Sequence, residues 1–132
     1  MATIRREVHI QAAPDQVWDA LRDVGALHTR LCPGFVIDTR MESDRVRLVT
    51  FANGRQAREL IVSVDDTERR VCWAIVDDPF LHYNGAARVT PLNDGTCRFT
   101  WTSDLLPNEL EPTVAAMIEA GIAAIKHAQE AA

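Results

Sequence analysis

A hydrophobic period of two between residues 35 and 105 constrains this chain most, because few folds accommodate so many consecutive strands. Six segments there alternate apolar and polar side chains, as a half-buried β-strand requires. Turn-forming residues separate each segment from the next, and six consecutive strands joined by short turns predict an antiparallel meander. The segments are 35–41, 45–51, 55–64, 70–76, 82–89 and 96–105; the turns contain Glu42–Asp44, Asn53-Gly54, Asp65–Glu68, Asp77–Pro79 and Asn93-Asp94-Gly95.

Two of these turns carry specific hairpin signals. Asn53-Gly54 is the strongest, because both residues tolerate positive φ. Asn93-Asp94-Gly95 is typical of a type I turn followed by a glycine in the left-handed region. The second turn pairs Leu92 with Thr96, which predicts the register of the last two strands.

Helical patterns flank the meander. Residues 3–10 predict a first strand, and Pro14 favours the start of a short helix over about residues 14–23. A second turn or helix runs through His28 and ends at Cys32-Pro33-Gly34. After Leu106-Pro107 a long amphipathic helix is predicted, with Asn108 and Glu111 as its capping box. Its apolar stripe contains Leu110, Val114, Met117, Ile118, Gly121, Ile125 and Ala128.

Length and composition indicate one globular domain over residues 1–132, and the order of the predicted strands and helices makes it α+β. No apolar run approaches the roughly 20 residues of a membrane span, and no signal-peptide core precedes the first strand, so we expect a cytoplasmic protein. The net charge is −5 and the basic residues are scattered singly or in pairs along the sequence, which argues against a nucleic-acid partner.

The residues that could hold a metal or a cofactor do not form a recognisable pattern. Cys32, Cys72 and Cys97 are an odd number without a metal-ligand spacing, and we interpret them as buried structural thiols. No phosphate-binding glycine loop or nucleophile motif occurs, so neither a cofactor nor a metal is expected, and no catalytic residue is identified.

The strand His82–Val89 has an unusual centre, Gly85, Ala86 and Ala87, where branched or aromatic side chains are normal. Glycine in a strand marks a bulge or a place where another group approaches the backbone closely. That group is either a helix or a ligand. The predicted register places Ala87 opposite Trp101 and Val89 opposite Phe99, so Tyr83, Ala87, Phe99 and Trp101 share one face.

Glu59 is a carboxylate in the middle of a predicted strand that could point into the interior. Both faces of its strand carry apolar residues, so the direction is ambiguous. If it points inward, burial raises its pKa and prepares it to exchange a proton. The alternative is a surface ion pair with an arginine.

The order of elements resembles the helix-grip fold of the SRPBCC superfamily, which includes START-type lipid carriers, polyketide cyclases and pathogenesis-related plant allergens. Four stretches carry the resemblance: IQAAPDQVWDAL, RELIVSVDDTERRVCWAIVD, HYNGAARVTPLNDGTCRFTW and the closing helix. The resemblance implies a curved seven-stranded antiparallel sheet, two short helices and a long C-terminal helix that together enclose a cavity. It also implies that Gly85 and Ala87 form the cavity floor.

Within this superfamily, plant hormone receptors line their pocket with a glutamate and a tyrosine at positions that align with Glu59 and Tyr83. The lysine with which they hold an acidic ligand has no counterpart, since Pro33 stands at its position. The resemblance therefore argues against a hormone-like acid.

We predict that the protein binds a small hydrophobic molecule, such as a lipid, polyketide or aromatic metabolite. The expected ligand-binding residues are Glu59, Trp73, Tyr83, Gly85, Ala87, Phe99, Trp101, Met117 and Gly121. The alternative is a polyketide cyclase- or dehydratase-like enzyme that uses the cavity carboxylate or a histidine as acid and base. His28 and His82 are the histidines considered, although a surface or capping role suits both. An interaction protein that uses its outer sheet face is a third possibility, and the protein is expected to be a monomer or a homodimer.

Overall fold

The computed structural model describes residues 1–132, and its strands and helices follow the predicted order. The strands are β1 (Ala2–Ile10), β2 (Val36–Met41), β3 (Val46–Phe51), β4 (Gln56–Asp65), β5 (Arg70–Ile75), β6 (His82–Pro91) and β7 (Cys97–Leu106). The helices are α1 (Pro14–Arg22) and α2 (Glu111–Ala131), with a π-helical turn at Leu27–Leu31 and a 3₁₀ turn at Asn108–Leu110.

The seven strands form one antiparallel sheet in the order β1-β7-β6-β5-β4-β3-β2. Strands β2 to β7 make the predicted meander, and β1 pairs with β7. The α+β helix-grip architecture is therefore confirmed.

The two hairpin turns are built alike. In the β6–β7 turn Leu92 N–H donates to Thr96 O, and Ala87 pairs with Trp101, as predicted. In the β3–β4 turn Phe51 N–H donates to Arg55 O, and only Gly54 has a positive φ. The expectation that Asn53 would share the left-handed region is wrong, because this loop has three residues and places only its last one there.

The long helix α2 starts differently from the predicted capping box. No side chain caps it, and the chain enters through the 3₁₀ turn Asn108–Leu110, with Pro112 in the first helical turn. Pro112 is tolerated there because its missing N–H would have no intrahelical partner.

The hydrophobic core lies between the inner face of the sheet and the helices. The apolar stripe of α2 faces the core: Val114, Ile118, Gly121 and Ile125 are buried, and Leu110, Met117 and Ala128 are half-buried. The helix packs chiefly against β1 and also contacts β7 and the π-helical turn. The three cysteines are buried and unpaired. No helix is both long and apolar enough to cross a membrane.

Candidate functional site

A cavity of about 170 Å³ remains between the inner face of the sheet and α2. Of its 29 lining residues 21 are hydrophobic, so it is an apolar container with few polar groups. It opens where the exposed lining residues lie: at the β3–β4 turn, at the β5–β6 loop and at the start of α2. These residues are Arg55, Gln56, Asp78, Pro79 and Thr113.

The small residue at the centre of β6 accommodates an indole ring. Gly85 pairs directly with Trp73 of β5, and a Cβ added at Gly85 would lie 2.6 Å from Trp73 Cε2. That separation is far below van der Waals contact, so any larger residue would displace the ring. The Trp73 ring fills this space, and Gly85 does not line the cavity. The expectation that it forms the cavity floor is wrong.

Gly121 of α2 has the same role on the opposite wall. A Cβ there would lie 2.8 Å from Trp101 Cζ3 and 3.0 Å from Phe35 Cε2. Because Gly121 has no side chain, the rings of Trp101 and Phe35 can pack directly against the backbone of the helix. Gly121 does not line the cavity itself and supports two residues that do.

The other predicted residues surround the cavity together. Trp73 and Trp101 pack edge to face with ring centroids 5.9 Å apart, an arrangement that favours a fixed wall. The cavity is lined by Glu59, Trp73, Tyr83, Ala87, Phe99, Trp101 and Met117. Sequence reasoning missed Phe35, Phe51 and Phe80, which also line it.

Glu59 points inward and forms an ion pair with Arg47, so each of the two alternatives for this residue contained part of the answer. Arg47 Nε donates to Glu59 Oε1 at 2.8 Å, and both residues are buried, at 3% and 6% exposure. Arg47 also donates to the carbonyl oxygen of Val24 at 3.1 Å. Its guanidinium lies 5.7 Å from the centroid of the Trp73 ring. The protein thus supplies two guanidinium contacts to Glu59 and one to Val24, and Arg47 also lines the cavity.

The second oxygen of Glu59 has no such partner. Both contacts with Arg47 go to Oε1, and Glu59 lines the cavity. Burial raises the pKa of Glu59, and the attraction and hydrogen bond of Arg47 oppose this rise. Oε2 is consequently a hydrogen-bonding position at the cavity without a protein partner, and the buried Nε1 of Trp101 is another.

Tyr83 and Cys32 are close enough to be affected by the charge on Glu59. Burial raises the pKa of Tyr83 to about 12; the hydrogen bond to Ser103 opposes this, and the charge of Glu59 adds to it. The Tyr83 hydroxyl and the Ser103 hydroxyl are 2.8 Å apart. Burial likewise raises the pKa of the Cys32 thiol to about 12. Both groups are protonated at neutral pH, so Cys32 is not an activated nucleophile.

The remaining candidates lie elsewhere. His82 is exposed at the start of β6, and His28 is half-buried with a buried Nδ1 that has no hydrogen-bond partner. Neither histidine lines the cavity, nor does the exposed Pro33. No cluster of three or more His, Cys, Asp or Glu side chains is arranged to hold a metal ion.

Comparison with solved structures shows the same fold across almost the entire chain. A Bacillus thuringiensis protein superposes with a TM-score of 0.85 at 20% identity, covering 96% of this chain and 98% of its own. A point mutant of Thalictrum flavum norcoclaurine synthase, in complex with a transition-state analogue, gives 0.74 at 20% identity, with 96% and 92% coverage. A START superfamily protein of Mycobacterium smegmatis gives 0.73 at 11% identity, with 98% and 94% coverage.

The sequence comparison agrees with the fold. No curated protein sequence matches the chain. The family model for "Polyketide cyclase / dehydrase and lipid transport" matches residues 1–130. The match spans every strand, α1, all but the last residue of α2 and all residues that line the cavity. The chain therefore belongs to the polyketide cyclase/dehydrase and lipid transport family and has its START-like, helix-grip fold.

Proposed function

We propose that the protein binds one small, largely apolar molecule in the cavity between the sheet and α2. The observation that carries the proposal is the combination of apolar aromatic walls with a single buried carboxylate whose Oε2 is unpaired. Ligand pockets have this composition, because apolar surface supplies affinity while a few polar groups fix orientation. The family match supports the same coarse function.

The volume limits the size of the ligand. An engineered cavity of about 150 Å³ in another protein holds one benzene molecule, whereas pockets for drug-sized ligands span roughly 300–1,000 Å³. At about 170 Å³, this cavity accommodates a single ring or a short chain. A larger ligand would need the mouth between the β5–β6 loop and α2 to widen.

The polar groups limit the chemistry of the ligand. An ionised carboxylate only accepts hydrogen bonds, so Glu59 Oε2 suits a ligand that carries an O–H or N–H donor. A carboxylate ligand would face repulsion from Glu59, and the guanidinium of Arg47 already contacts Glu59 and Val24. We therefore expect phenol- or alcohol-like molecules to bind more tightly than acids of the same size.

A fluorescence titration tests this proposal. The chain has three tryptophans, of which Trp73 and Trp101 line the cavity, whereas Trp18 does not and donates to Asp66 at 3.0 Å. A Trp18→Phe variant thus leaves only cavity reporters. We expect saturable changes in emission with phenol and benzyl alcohol, and at least tenfold weaker binding of benzoate. Flat emission with all three compounds, or tightest binding of benzoate, would refute the proposal.

Acid–base catalysis is the second candidate, and it resembles the polyketide cyclase and dehydratase activity in the family's description. The observation that favours it is that Glu59 and Tyr83 line the same cavity, with the pKa of Glu59 raised by burial. If the protein turns over a cavity ligand, Glu59→Gln should remove turnover while keeping binding within about tenfold. A cytoplasmic location and a monomeric or homodimeric state remain predictions.

A further inference from the structure

The outer face of the sheet carries a second concavity, on the side opposite the cavity. This groove has a volume of about 360 Å³ and is formed by β1, β5, β6 and β7. Ten of its eleven lining residues are polar: Arg5, Glu7, Arg70, Asn84, Arg88, Thr90, Arg98, Thr100, Thr102 and Asp104, and the eleventh is Ala86. Arginines that are scattered along the sequence are thus brought onto one surface by the pairing of the strands.

The strand register places three of the arginines next to one another. Arg70 pairs directly with Arg88, whose other cross-strand neighbour is Thr100. Arg98 lies two residues before Thr100, diagonally opposite Arg88. Side chains directly opposite each other are about 5 Å apart at Cβ and diagonal ones about 7–8 Å. Arg70 on β5 and Arg98 on β7 thus lie on either side of Arg88, within side-chain reach of a common point over β6.

Charge compensation within the groove is incomplete. Arg88 pairs with Glu68, and Arg5 pairs with Glu7. Arg70 and Arg98 form neither an ion pair nor a side-chain hydrogen bond, so two positive charges lack a carboxylate partner. Arg70 lies directly opposite Arg88, and like charges in that position are destabilising, so an anion bound beside Arg70 would reduce that cost. The hydroxyl groups of Thr90, Thr100 and Thr102 add hydrogen-bond donors to the same surface.

We propose that this groove binds a phosphate group, either as the free anion or as part of a phosphate monoester. Arginine guanidinium forks match the geometry of phosphate oxygens and form charge-assisted hydrogen bonds with them. The proposed site is separate from the apolar cavity, and it does not depend on the function proposed there.

Other occupants fit less well. A second copy of the chain stacked by this face would bring arginines against arginines. A nucleic acid would meet Glu7 and Asp104 at the β1 side and a chain with a net charge of −5. A phosphate group is small enough to sit over β6 between Arg70 and Arg98, on the side of Thr100 away from Glu7, which pairs with Thr100 from β1.

The test compares two double variants that change the net charge equally. Arg70→Gln/Arg98→Gln removes the two unpaired groove arginines. Arg40→Gln/Arg45→Gln is the matched control, because both of its arginines are exposed, unpaired and outside the groove. Inorganic phosphate and glycerol 3-phosphate are titrated by calorimetry, with glycerol as the uncharged control. Methyl resonances of Thr90, Thr100 and Thr102 report where the ligand binds.

We expect saturable 1:1 binding that weakens with added sodium chloride, shifts the three threonine methyls and is lost at least tenfold in the groove variant only. Phosphate should also raise the melting temperature of the wild type but not that of the groove variant. Absence of saturable binding, equal losses in both variants, or tighter binding of a single-stranded oligonucleotide than of glycerol 3-phosphate would each overturn the proposal.

Discussion

The ion pair of Arg47 and Glu59 leads to a quantitative prediction about stability and pH. When Arg47 is replaced by methionine, the buried carboxyl of Glu59 loses the charge that offsets its burial, and it folds in the protonated form. In the unfolded chain this carboxyl releases its proton above its usual pKa of about 4.3. Each pH unit above that value at which the folded protein keeps the proton lowers the free energy of unfolding by about 1.36 kcal/mol. The cost is therefore about 1 kcal/mol at pH 5 and at most about 4 kcal/mol at pH 7. Breaking buried pairs in other proteins costs about 3–5 kcal/mol.

The direction of the pH effect follows from the sign of the shift. An acid whose folded pKa is raised contributes its full stability below the unfolded pKa and loses that stability as the pH rises through the folded pKa. The free energy of unfolding of Arg47→Met should therefore fall furthest below that of the wild type at neutral pH. Near pH 4.5 the two values should be similar. The free energy of unfolding of the wild type also falls as the pH rises, but by less, because Arg47 opposes the rise in the pKa of Glu59.

The double variant Arg47→Met/Glu59→Leu separates the pair from its individual members. Replacing both charges with apolar side chains of similar size is often neutral or stabilising, so we expect a free energy of unfolding within about 1 kcal/mol of the wild type. Urea denaturation at pH 5, 6 and 7, followed by circular dichroism, gives the required values if the m-values agree. A double variant as unstable as Arg47→Met, or a deficit of Arg47→Met that does not change with pH, would show that the reasoning is wrong.

Three further predictions concern the walls of the cavity. Gly85→Ala should cost about 1–3 kcal/mol and shift tryptophan emission, because its Cβ would lie 2.6 Å from the Trp73 ring; an unchanged melting temperature would contradict the assigned packing. Ala87→Leu should lower the free energy of unfolding by less than about 1 kcal/mol, because the longer side chain extends into the cavity. It should also weaken phenol binding at least tenfold, and a large loss of stability would contradict the presence of empty space beside Ala87. Tyr83 is the only tyrosine, so an ultraviolet titration should show a single phenol with a pKa of about 12 in the folded protein and about 10 in urea; equal values in both states would disprove its burial with Ser103.

Much of the fold could be predicted from local patterns. The period of two and the turn residues located the strands to within one or two residues, because alternation and turn geometry depend on neighbours in sequence. The Asn93-Asp94-Gly95 turn fixed the register of β6 and β7, which correctly placed Ala87 opposite Trp101. Seven of the nine predicted site residues line the cavity, and four of them, Tyr83, Ala87, Phe99 and Trp101, follow from this register.

The pairing of Arg47 with Glu59 depends on the number of residues in the β3–β4 turn. Two residues with positive φ at Asn53-Gly54 would make a two-residue loop, which places Glu59 opposite Leu48. The three-residue loop shifts the register by one residue and pairs Glu59 with Arg47. A one-residue slip exchanges the two faces of a strand, and both faces of β4 carry apolar residues. The sequence therefore could not show that Glu59 is buried or that Arg47 is its partner.

The sequence by itself determined the order of elements, the strand boundaries and the inner face of β6 and β7, since each follows from interactions between residues close along the chain. Only the tertiary structure decided what fills the space beside Gly85 and Gly121, because the indoles of Trp73 and Trp101 reach these glycines from other strands. It also decided that arginines scattered along the sequence, including Arg70, Arg88 and Arg98, gather in one groove. Packing and charge clustering of this kind depend on contacts between distant segments, which a local pattern does not encode.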